Sequence, residues 1–179
     1  MDSFSEIQDY KAAEEGRLDK VFEHSISFHI EHRIFLTRWL NVGLFFANQE
    51  RWDLLMQACV NAGLAGLCVL ALIRGFGAHF VDSWYWLFGG LTTACFALPT
   101  AYENMLWGFQ SQHFFFILFS VLAIPLVIRS GPLSGAWWLG IGSAACSCLS
   151  LGSGFYAPLT LVSISLLMIL RRRYRQAST

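Results

Sequence analysis

The chain has 179 residues, and its 12 Lys and Arg balance 12 Asp and Glu. Only 13% of residues are charged and 55% are hydrophobic, where a soluble domain carries roughly a quarter charged residues. This composition excludes a disordered tail and a nucleic-acid binder working through a basic face, and it points to a membrane protein.

Charge is concentrated early. Ten of the 12 acidic residues lie at or before Asp53. From Leu54 to Leu170 only Arg74, Asp82, Glu103 and Arg129 are charged, and a basic run, Arg171, Arg172, Arg173 and Arg175, follows. The chain therefore divides into a polar head (1–33), an amphipathic segment with a linker (34–53), a membrane body (54–170) and a basic tail (171–179).

The head ends in Glu31-His32-Arg33, with His24 and His29 upstream. A carboxylate beside a membrane surface can act as a general base, and an adjacent arginine can hold a phosphate. The same residues also suit a solvated loop. The spacing is not HExxH, so no metal ligands are assigned.

Next comes Ile34–Asn48, apolar except for Thr37, Arg38, Asn41 and Asn48. On a helix these four gather on one side. The stretch between Arg38 and Glu50 is too short to span, so we expect an amphipathic helix in the interface with its polar side toward water. A sixth, imperfect span is the alternative.

A crossing needs about 20 apolar residues. Leu54–Ile73, Ser83–Tyr102 and Asn104–Ile128 each supply one. The uncharged run Ser130–Leu170 is long enough for two and divides at Gly152-Ser153-Gly154 into Leu133–Leu151 and Phe155–Leu170. The expected fold is all-α: a polytopic transmembrane helix bundle of about five spans with an interfacial amphipathic helix.

Five spans put the two termini on opposite sides. With the basic tail in the cytoplasm, Arg74 and Arg129 also fall in cytoplasmic loops, and the loops near Glu103 and Gly152 contain no Lys or Arg. The N-terminus is then extracytoplasmic. A translocated head of this size ordinarily follows a hydrophobic segment, so a further helix upstream is expected.

Within the body, Glu103 sits at the outer end of a span, with Asn104 and Gln110 on the same side. An acid there either snorkels to the surface or marks a functional site. Gln57 and Asn61, one helical turn apart, suit a contact with a neighbouring helix better than a ligand. His113 and the Trp84-Tyr85-Trp86 and Trp137-Trp138 clusters read as interface residues. Cys59, Cys68, Cys95, Cys146 and Cys148 all lie in apolar runs, without zinc-type spacing.

Three stretches carry a resemblance. The first is His29-Ile30-Glu31-His32-Arg33-Ile34-Phe35-Leu36-Thr37-Arg38. The second is Arg51-Trp52-Asp53, leading into a span with Asn61. The third is Glu103-Asn104-Met105-Leu106-Trp107-Gly108-Phe109-Gln110-Ser111-Gln112. Together with the glycine break near 152–154, they resemble the "NEHRI…R" and "ENxLWGFQSQ" segments of bacterial multi-pass membrane glycosyltransferases of the GT-C type. Such proteins have many transmembrane helices, often more than ten, and an acidic motif in the first extracytoplasmic loop. The chain is shorter, so the resemblance implies flanking transmembrane segments that it lacks.

The implied chemistry is transfer of a sugar from a polyprenyl-phosphate donor in the bacterial inner membrane to an acceptor outside the cytoplasm. Asp2 or Glu31 would deprotonate the acceptor. His32, Arg33, Arg38, Glu103, Asn104 and Gln110 would contact substrate, and Arg33, Arg38 or a divalent metal would offset charge on the departing phosphate. The expected partners are membrane lipid and the lipid-linked sugar donor. The other class left open is a non-catalytic multi-pass protein sharing the scaffold.

Overall fold

The structure, a computed structural model, describes residues 3–27, 34–77, 80–81, 83–98 and 110–177. The described residues are helical, with no strand among them.

The head folds into two short helices, α1 (Ser3–Glu14) and α2 (Leu18–Ile26). Their turn is set by Gly16, whose φ of 70° lets Gly16 N–H reach Ala13 O at 3.0 Å and Arg17 N–H reach Ala12 O at 2.8 Å. This reversal satisfies the orphan carbonyls of α1, and glycine adopts it without the steric penalty other residues meet. Both helices pack on α3 (Phe35–Ala47), where Ala12, Ala13, Val21 and Val42 form a small core under Trp39. The C-terminus of α3 closes with the same bond pattern, Gln49 N–H to Phe46 O and Glu50 N–H to Phe45 O. Here Gln49 and Glu50 carry the positive φ angles, 56° and 61°.

Among its described residues the body has five helices: α4 (Leu54–Phe76), α5 (Ser83–Ala97), α6 (Ser111–Arg129), α7 (Gly135–Cys148) and α8 (Tyr156–Ala177). A 3-10 turn, Gly152–Phe155, joins the last two. Asp53 caps α4, its Oδ1 accepting from Leu55 N–H at 2.8 Å and Met56 N–H at 3.3 Å. Ser134 caps α7, accepting from Trp137 N–H at 3.2 Å.

Among the described residues three stretches are long and apolar enough to cross a membrane: Leu54–Phe76, Ser111–Arg129 and Gly152–Arg171. Within their described residues, α5 and α7 are shorter, 15 and 14 residues. The third expected crossing, Asn104–Ile128, is described as helix from Ser111, and 99–109 lie outside the described residues.

The helices alternate in direction. Tyr85 meets Gly77 and Ile73 meets Gly89, so α5 runs back along α4. Ser120 bonds Ser147 while Leu126 and Val127 press on Gly140, so α7 runs back along α6. A Cβ on Gly140 would lie 2.7 Å from Val127 Cγ2, so only glycine permits this approach. Leu161 of α8 joins Ala123 and Ala144 in a further core cluster. As a result Arg74 and Arg129 lie at one end of the bundle, where Arg129 Nη2 donates to Gly75 O at 2.9 Å, and the head lies at the other.

One irregularity positions everything at the head end. Ser147, in the last turn of α7, bonds Ser120 at 2.9 Å. Ser120 lies about 14 Å along α6 from its first residue. The α7–α8 hairpin therefore turns back short of the head end of α6, and α3 begins on its turn, with Phe35 N–H donating to Leu149 O at 3.1 Å. The other end of α3 leads into the start of α4. At 13 residues α3 is about 20 Å long, too short to span, and it fills this step.

Its polar side does not face water, contrary to expectation. Thr37, Arg38 and Asn41 are 1%, 7% and 4% exposed, whereas Phe46 on the opposite side is 44% exposed. The physical reason is that the polar side has protein partners. The head helices cover it from one direction and α6 meets it from another, so its hydrogen bonds are made internally rather than with solvent.

Candidate functional site

The head end gathers buried polar residues from five helices. Asp9 on α1 is the centre, only 3% exposed. Its Oδ2 accepts from Arg38 Nη1 at 2.7 Å, across 29 residues of chain, and both side chains are buried. Its Oδ1 faces His24 Nδ1 at 3.0 Å. An ionised carboxylate only accepts, so this contact selects the tautomer with the proton on Nδ1. One carboxylate thus locks α1, α2 and α3 together. Trp39 Nε1 adds a bond to Ser25 Oγ at 3.2 Å.

A second set joins the head to the body. Gln57 Nε2 donates to Tyr10 Oη at 3.0 Å, and the Tyr10 ring stacks on Phe45 with centroids 5.1 Å apart. Ser111 Oγ donates to Thr37 Oγ1 at 2.9 Å, tying the start of α6 to α3. Asn61 and Gln112 are buried nearby on α4 and α6. The helix-contact reading of Gln57 is the one realised.

Beside Tyr10, Asn41, Asp53 and Gln57 lies a crevice with a free volume of about 10 Å³, room for one water. Gln57 Oε1 is buried with no hydrogen-bond partner among the described residues, and a water there would supply the missing donor. The crevice does not admit a sugar. Among the described residues no group of His, Cys, Asp and Glu could hold a metal ion.

Of the residues expected to act in catalysis or to contact substrate, Arg38 and Gln110 are described. Arg38 is buried against Asp9. Gln110 precedes α6, next to the Ser111–Thr37 bond. Asp2, Glu31, His32, Arg33, Glu103 and Asn104 lie outside the described residues. The sequence reading missed Asp9 and Tyr10, because nothing in α1 marks one carboxylate among several as buried. The available signal was Arg38, a charge in an apolar helix that needed a counter-charge within reach.

No protein-family profile, curated protein sequence or solved structure matches this chain.

Proposed function

We propose that this chain is a membrane glycosyltransferase-like protein, or part of one, working on a polyprenyl-phosphate-linked sugar at the extracytoplasmic face of a bacterial inner membrane. One observation carries the reading. The stretches that carry the resemblance adjoin the described residues at Ile34 and Gln110, and these two points are brought together at the head end by the Ser111–Thr37 bond. The head end is also opposite Arg74 and Arg129, as the positive-inside rule requires for a site outside the cytoplasm.

In this reading Glu31 is the base, with Asp2 as the other candidate. Arg33 holds the phosphate, and Glu103, Asn104 and Gln110 line the same site. Arg38, engaged by Asp9, positions the head rather than binding substrate.

A second reading has its own support. The buried charges at the head end neutralise one another, and the crevice beside them holds no more than a water. That suits a non-catalytic membrane subunit sharing the scaffold.

The test is a transfer assay in membrane vesicles containing the chain, supplied with radiolabelled polyprenyl-phosphate sugars. Donor-dependent release of polyprenyl phosphate that Glu31→Gln abolishes supports the enzyme. No release from any donor, by a chain shown to be folded, favours the subunit.

A further inference from the structure

The arginine end carries a different feature. A groove of about 500 Å³ opens between α4 and α6. Its walls include Leu67, Leu70, Leu118 and Leu122, and Arg74 and Arg129 stand at one end of it. No acidic side chain lines it among the described residues. The helices draw together near Gly75, whose added Cβ would lie 3.8 Å from both Pro125 and Val121. Arg129 is held at the mouth by its bond to Gly75 O at 2.9 Å.

We infer that this groove is a binding site for an anionic glycerophospholipid of the leaflet on the arginine side, one acyl chain lying in the groove and the phosphate between the two guanidinium groups. Three considerations select this occupant. Leu67 to Arg74 and Leu118 to Arg129 cover about 10 and 16 Å of helix, close to the ~15 Å depth of one leaflet's hydrocarbon. The apolar walls sit at hydrocarbon depth and the charges at headgroup depth, as an amphiphile entering from that side requires. Guanidinium matches phosphate in charge and in bidentate geometry, so a lipid with net negative charge is favoured over a zwitterionic one. The inference rests on membrane placement alone and is independent of sugar transfer.

The experiment is lipid titration of the full chain in detergent micelles, followed by native mass spectrometry, with phosphatidylglycerol and phosphatidylcholine of identical acyl chains. Phosphatidylglycerol should bind about 30-fold more tightly, the increment expected for two arginines at a headgroup. The Arg74→Gln, Arg129→Gln double variant should lose that preference while keeping its helical circular-dichroism melt. If the double variant does not fold, Arg74→Lys with Arg129→Lys should retain a reduced preference. Leu122→Trp, which fills the groove and leaves both charges, should weaken both lipids. Millimolar inorganic phosphate should not displace bound phosphatidylglycerol. Equal binding of the two lipids by the wild type, an unchanged preference after loss of both arginines, or displacement by phosphate alone would each overturn the inference.

Discussion

The two ends of the bundle handle charge in opposite ways. At the head end Asp9 and Arg38 are buried and bonded to each other, and α3 turns its polar side inward. At the other end Arg74 and Arg129 remain on the surface beside an apolar groove. Buried charges need partners, because an unpaired one costs several kcal/mol, whereas charges at a bilayer boundary can be satisfied by water and headgroups. The head end is therefore held by internal polar contacts, among them a buried charge pair neither member of which can be removed alone without a large cost. The arginine end is held by close helix packing, and both of its arginines lie at the surface.

The largest test of that contrast compares two turns. Gly154 packs so closely on α7 that an added Cβ would lie 1.8 Å from the Ser147 carbonyl oxygen. Gly154→Ala must push apart the hairpin on which α3 rests, and we expect loss of the fold or a cost above about 4 kcal/mol. Gly131, in the turn at the arginine end, has nothing within 4 Å of its added Cβ, so Gly131→Ala should leave the melt in detergent nearly unchanged. Equal loss in both variants would show that the head-end turn has no special role.

Next in size is the buried pair. Arg38→Ala leaves the buried Asp9 without its arginine and should cost about 3–5 kcal/mol, read as a lowered midpoint in a denaturant titration of the micelle-bound protein. The double variant Asp9→Leu, Arg38→Met replaces both charges with apolar volume and should recover most of the loss. A double variant as unstable as the single one would mean that the two charges act through separate partners. Tyr10→Phe should cost less, about 1 kcal/mol, because it leaves Gln57 Nε2 without its acceptor but keeps the ring stacked on Phe45.

This ranking explains what the sequence could reveal. Three spans among the described residues were legible as apolar runs of span length, and the placing of Arg74 and Arg129 at one end of the bundle followed from alternation. The inward turn of Thr37, Arg38 and Asn41 was not legible. Helical periodicity shows that these residues share a side, but whether that side meets water or protein depends on the head folding over it, through contacts 29 residues apart for Arg38 and 74 for Thr37. The shortness of the α7–α8 hairpin was equally hidden. The glycines at 152–154 mark where the uncharged run reverses, but not that this turn sits short of the head end of α6, which the Ser120–Ser147 bond fixes. At the head end, composition marked Arg38 as a charge in an apolar helix, but not that it pairs with Asp9. Asp9 itself was not marked, since its burial comes from α2 and α3 closing on it.

Asp53 gives a smaller, local check at the head end. As the cap of α4 it accepts two backbone N–H groups, and Asp53→Ala should cost about 1 kcal/mol while Asp53→Asn stays close to wild type. An equal loss for Asn and Ala would make the carboxylate's charge, rather than its capping bonds, the stabilising element.

The smallest effect should come from the arginine end, and its smallness is informative. Arg129 Nη2 donates to Gly75 O through an exposed contact, and exposed polar contacts of this kind contribute little because water or headgroups replace them. Arg129→Ala should shift the stability of the protein in a neutral detergent by no more than about 0.5 kcal/mol. The same substitution in micelles containing phosphatidylglycerol should lose more, because a ligand that binds the folded state adds stability in proportion to its occupancy. If the loss is the same with and without anionic lipid, Arg129 serves only the contact between α4 and α6. A loss as large as that of Arg38→Ala in neutral detergent would erase the distinction between the two ends, since it would place a structurally essential charge at each.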